Sequence, residues 1–128
     1  MKVNGKTNEQ IQENLEKFPE YRVVCKLATI LEDRSLTMVE LSKLTGLRVA
    51  TISEIANMKR STINIPHMLV IAQALRITDL SELYVLEMSE ETYNRFIQDK
   101  VEIEHQGRLI EQMEYLNALK TKKKPPSN

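Results

Sequence analysis

The sequence predicts an all-α protein, and three observations carry that expectation. Apolar residues recur at three- and four-residue spacing along most of the 128 residues, with no β-rich alternation. Helix-starting residues (Thr7, Thr37, Asn64, Thr78 and Ser89) stand just ahead of those apolar runs. Glycine is scarce, three in all, and Gly46 and Gly107 fall where apolar stripes end. Apolar residues make up 41% and charged residues 28%, with no tryptophan, which is enough for one modest core and an extension.

Thr7 and Gln10 have the spacing of a capping box, and Ile11, Leu15 and Phe18 share one face until Pro19 ends the run. Val23, Val24, Leu27, Ile30 and Leu31 predict a second, amphipathic helix over 21–33. Thr37 caps a short helix over 38–45, which Gly46 closes in the left-handed conformation. A helix over 49–57 follows, with Ile52 and Ile55 inward, and then the polar loop MKRSTIN. Asn64 caps a helix with Pro66 in its first turn, running through Met68, Leu69, Ile71, Ala72 and Leu75. Thr78 caps a short helix over 79–85 with Leu80 and Leu83 inward.

Residues 89–120 form a helical extension. Ser89 starts one stripe of Tyr93, Phe96, Ile97 and Val101, and a second of Leu109, Ile110, Met113 and Leu116 follows Gly107, which marks a bend. No strict heptad runs through the segment, so a long coiled coil is not expected. The organisation expected is an N-terminal helical segment (1–20), a central domain (21–88), this extension, and a disordered basic tail (121–128).

Composition narrows the function. No apolar run approaches the roughly 18 residues of a membrane span, and MKVNGKTNEQ lacks the apolar stretch of a secretory signal. The single cysteine, Cys25, allows no intramolecular disulfide, so a cytoplasmic protein is expected. His67, His105 and Cys25 are too scattered for a metal site, and no nucleophile elbow or phosphate-binding glycine loop occurs. Neither enzyme activity, a metal nor a cofactor is expected. Net charge is zero, and residues 21–88 carry eight Lys or Arg against seven acids, so this is no basic domain. Positive charge is local: within 35–62, Lys43, Arg48, Lys59 and Arg60 outnumber Glu40 and Glu54.

Three stretches point to a family. SLTMVELSKLTGL has Leu41, the small Ser42, Gly46 and Leu47 at the spacing of a helix and tight turn; VATISEI carries Thr51, Ile52, Ser53 and Ile55; IPHMLVIAQALRITDLSELY has the form of a closing pair of helices. Together they resemble the helix-turn-helix domain of the Xre family, the Cro and lambda-repressor-like DNA-binding proteins. The resemblance implies a lambda-repressor-like five-helix domain whose third helix, residues 49–57, enters the major groove of double-stranded DNA. It places Val49, Ala50, Ser53 and Glu54 towards bases, and Met38, Asn57, Lys59 and Arg60 near phosphates. It also implies dimers on half-sites about one helical turn apart, roughly 34–36 Å. The sequence departs from the family at Met38, where glutamine is common, at Arg48, where Ser, Thr or Asn would cap, and at Ala56 and Met58, which replace a usual glutamate and glycine.

The residue chemistry fits phosphate positioning better than polar base reading. Val49 and Ala50 offer only apolar contact with thymine methyls, and Glu54 can accept from cytosine N4. Arg48 opposes the helix dipole unless an anion binds there, when both the free backbone N–H groups and the guanidinium are satisfied. Two readings stay open: a bacterial or phage regulator of repressor type that binds DNA as a homodimer, or a helix-turn-helix retained as a protein-interaction module, an antirepressor or adaptor. Neutral charge and Glu54 favour the second; Arg48, Lys59 and Arg60 favour the first. Tyr93, Phe96, Ile97 and Val101 either pair with a second subunit, pack back on the domain, or dock a regulatory protein partner.

Overall fold

The structure, a computed structural model, describes residues 8–123. The Thr7 cap and the tail beyond Lys123 lie outside the described residues. Contacts divide the chain into two units, Met1–Met88 and Ser89–Asn128.

The first unit opens with α1 (Glu9–Lys17), which ends at Phe18 ahead of Pro19. Next come β1 (Arg22–Cys25) and α2 (Leu27–Asp33). The helix expected over 21–33 is therefore only half formed. Arg-Val-Val-Cys is extended and pairs antiparallel with β2 (Tyr84–Glu87), in the register Arg22↔Glu87 to Cys25↔Tyr84. Both segments are rich in β-branched or aromatic residues, and each supplies the partner that the other lacks. Lys26 N–H extends the ladder by donating to Leu83 O at 2.7 Å, and Arg22 and Glu87 pair at 2.6 Å across the ribbon. The helix expected over 79–85 is likewise replaced. A single 3-10 turn, Leu80–Glu82, is capped by Asp79 rather than Thr78 and runs straight into β2. The sheet is minor: the protein is mostly helical, as its sequence predicts.

Between the two strands lie α3 (Met38–Thr45), α4 (Val49–Ala56) and α5 (Ile65–Leu75). Thr37 caps α3 in a full capping box, its side chain accepting from Glu40 N–H while the Glu40 carboxylate accepts from Thr37 N–H. Asn64 caps α5 by accepting from His67 N–H. The core is one cluster of Leu27, Leu31, Leu41, Ile52, Ala56, Ile71, Leu75 and Leu83, drawn from every helix from α2 to α5 and from the residue that joins the 3-10 turn to β2. Full burial of each of its larger side chains stabilises by about 1.5–3 kcal/mol, which fixes how the helices sit on one another.

Three helices of this unit end in left-handed residues that are not glycine: Ser35, Met58 and Arg76. In each, the next residue donates five positions back, Leu36 to Leu31, Lys59 to Glu54 and Ile77 to Ala72, as in a Schellman motif.

The second unit holds α6 (Glu90–Gln106) and α7 (Ile110–Lys123). Ser89 caps α6 by accepting from Thr92 N–H, and Gly107, at φ +78°, closes it. The extension is thus two helices. Arg95 and Glu111 pair between them at 3.5 Å.

Candidate nucleic-acid interface

The turn between α3 and α4 is built from short-range bonds. Gly46, at φ +83°, turns the chain and donates to Ser42 O. Ser42 Oγ donates to Leu47 O, while Thr45 Oγ1 donates to Leu41 O and accepts from Leu47 N–H. The small Ser42 thus reaches across the turn to the backbone of Leu47. Leu41 below and Ile52 above are both fully buried, so the turn and the core together set the angle at which α4 leaves.

Burying Ile52 and Ala56 turns the opposite face of α4 outward. Ala50 is exposed there, with Ser53 and Glu54 half-buried one turn later, and Val49 is exposed on the flank at the first turn of the helix. These are the four residues that the resemblance places towards bases, and the helix brings Ala50, Ser53 and Glu54 onto one surface with Val49 at its flank. Asn57 is exposed at the C-terminal end of that surface, its amide donating to Ser53 O at 3.0 Å and Ser53 Oγ at 3.4 Å. The N-terminal end belongs to Arg48. Its backbone is extended (φ −69°, ψ 147°), as an N-cap requires, but no side chain caps the helix. The first N–H groups of α4 are therefore left without a cap from Arg48, which is itself exposed. Among the described residues neither Arg48 nor Lys59 forms an ion pair.

Two residues of the expected site also have partners within the protein. Met38 is half-buried and packs against the core cluster, so its side chain secures α3. Arg60 turns back onto the helix, donating from Nε to Glu54 Oε2 at 2.8 Å. Residues expected to contact a base and a phosphate separately are joined here, and their six-residue separation across a helix end hides this from sequence periodicity.

The structure also adds neighbours that sequence reasoning left without a role. Gln12, Leu15 and Glu16 of α1 face Asn57 to Ser61 across an open groove also walled by β1. Burial holds the Cys25 thiol above its ordinary range, partly offset by the Leu27 backbone N–H, and the Tyr84 hydroxyl beside it is raised mainly by burial as well. Both pack against the core cluster. Among the described residues no group of His, Cys, Asp or Glu is placed to hold a metal ion, and no helix is long and apolar enough to cross a membrane.

A helix-turn-helix with an outward-facing second helix, cationic at both ends, defines the class: a DNA-binding module. The chain belongs to the family of the Cro/C1-type HTH DNA-binding domain, whose family model matches residues 26–89. That span runs from the residue after β1 to the start of the extension and includes the whole of α2 to β2. No curated protein and no solved structure matches the chain.

Proposed function

We propose that this protein is a sequence-specific transcriptional regulator of bacterial or phage type, acting in the cytoplasm as a repressor that occupies an operator and excludes polymerase. The observation that carries the reading is α4 itself: an outward face of Ala50, Ser53 and Glu54 with Val49 at its flank, bracketed by the exposed cations Arg48 and Lys59. Helix N-terminal N–H groups beside Arg48 suit one phosphate, and Lys59 suits a second past the other end. These contacts seat the helix in the major groove and fix its register, while apolar contact from Val49 and Ala50 reads thymine methyls.

The same reading includes a homodimer. A single module with two or three phosphate contacts binds modestly, and pairing doubles the contacts. The extension supports this, since Tyr93, Ile97 and Val101 are 54%, 41% and 51% exposed and α6 buries no residue within the chain. Tyr93, Ile97 and Val101, together with the half-buried Phe96, form the proposed two-fold seam.

The test is a fluorescence-anisotropy titration of random duplex DNA at two salt concentrations, with the dimer state read by light scattering. Binding that falls steeply with salt is the expected result. A folded protein that binds no duplex at low salt refutes the regulator reading and leaves the protein-interaction module, an antirepressor or adaptor, for which the Glu54–Arg60 pairing would be a neutralised docking surface.

A further inference from the structure

Resting on the DNA-binding reading above, the Glu54–Arg60 pair assigns the polar base contact that α4 otherwise lacks. The two charges meet through the inner nitrogen of the guanidinium: Arg60 Nε donates to Glu54 Oε2 at 2.8 Å. That bond occupies one edge of the plane and leaves the Nη1–Nη2 fork at its end. The pair is solvent-facing, with side chains 46% and 40% exposed. We propose that Arg60 reads a guanine through this fork, and that Glu54 is the positioning residue that holds the guanidinium over the outer face of α4.

Two features favour guanine over a phosphate as the target, and a third pre-organises the contact. Glu54 stands next to Ser53 and one turn from Ala50, on the side of α4 away from the buried Ile52 and Ala56. A guanidinium tied to it stays on that side of α4, where the pair also lines a small cleft with Met58, Thr62 and His67. Charge points the same way: a phosphate approaching Arg60 would be repelled by the Glu54 carboxylate, whereas guanine O6 and N7 are neutral acceptors spaced for a bidentate fork. Finally, the chain between the partners is pinned. Met58 sits at φ +52°, its N–H donating to Ile55 O and that of Lys59 to Glu54 O at 3.0 Å. Arg60 is therefore held before DNA arrives, which lowers the ordering cost of binding. Glu54 acts through Arg60 and need not meet a base.

The experiment is selection of the full-length protein on a randomised duplex library, followed by anisotropy titrations of the selected site and of random duplex. Wild type, Arg60→Lys, Glu54→Ala and Glu54→Gln are compared after their melting temperatures are matched. Wild type is expected to select a guanine at one position of each half-site. Arg60→Lys keeps the charge and loses the fork, so guanine preference there drops by about five- to 150-fold while affinity for random duplex changes by less than about threefold. Glu54→Ala weakens the preference at the same base pair and raises affinity for random DNA, because a negative charge has gone. Glu54→Gln, whose amide oxygen still accepts from Nε, retains the preference. If Arg60→Lys leaves every base preference intact, or if the two positions act at different base pairs, the inference is overturned while DNA binding stands. Should wild type bind no duplex at all, the DNA-binding reading fails and this inference goes with it.

Discussion

Gly46→Ala should destabilise the helix-turn-helix unit by about 1 kcal/mol, and the cost is conformational. A Cβ built at Gly46 meets no heavy atom within 4 Å, so no clash contributes. What remains is the left-handed backbone, φ +83°, which costs an L-residue roughly 1–2 kcal/mol, less about 0.5–1 kcal/mol recovered because alanine is stiffer than glycine in the unfolded chain. Ser35 tests the same physics in reverse. It sits at φ +52°, is exposed, and its backbone N–H already closes α2 on Glu32 O, so Ser35→Gly should stabilise by about 0.5–1 kcal/mol. Urea denaturation followed by far-UV circular dichroism reads both changes. With m-values near 1–3 kcal/mol/M, each kcal/mol moves the midpoint by about 0.3–1 M in opposite directions, with the slope unchanged. A loss beyond about 3 kcal/mol at Gly46 would mean that sterics dominate. Destabilisation by Ser35→Gly would refute the left-handed assignment that links the two sites.

Arg48→Ser should separate stability from function: a side-chain cap on α4 adds about 1 kcal/mol, yet removing the proposed phosphate contact from each subunit of the proposed dimer lowers the log–log salt slope by about 1.8. Melting curves and anisotropy at three or more salt concentrations would show both movements, and an unchanged slope would take Arg48 out of the interface. Ile52→Ala, at a fully buried position, should cost 2–5 kcal/mol by denaturant titration and lose DNA affinity in step with folding. Glu40 links stability to acid pH. The Thr37 backbone N–H, then the Thr37 hydroxyl, hold its carboxyl below the ordinary value of 4.5, so its contribution is complete above pH 4.5 and lost as pH falls through the lowered folded value. Glu40→Gln keeps the acceptor without the titration, and a thermal-melt series from pH 6 to 3 should show a shallower acid decline than wild type.

Much of this protein is written locally. The spacing of Leu41, Gly46, Ile52 and Ile55, with the caps at Thr37, Asn64 and Ser89, determines α3 to α6 and the turn between α3 and α4, because a helix and its cap involve residues within four positions of one another. That pattern also carries the family and places Ala50, Ser53 and Glu54 on one face with Val49 at its flank. Tertiary structure decided what depends on distant partners. Val23 and Val24 continue the apolar spacing of α2, yet they form a strand because Val85 and Leu86, some 60 residues later, complete its ladder. Met38 is turned to the core by neighbours that no local pattern names. Arg60 reaches Glu54 only because the Schellman turn at Met58 reverses the chain past the end of α4. A free energy shared between residues far apart in sequence leaves no period to read, so the module was legible from its spacing and the charge arrangement on the outward face of α4 was not.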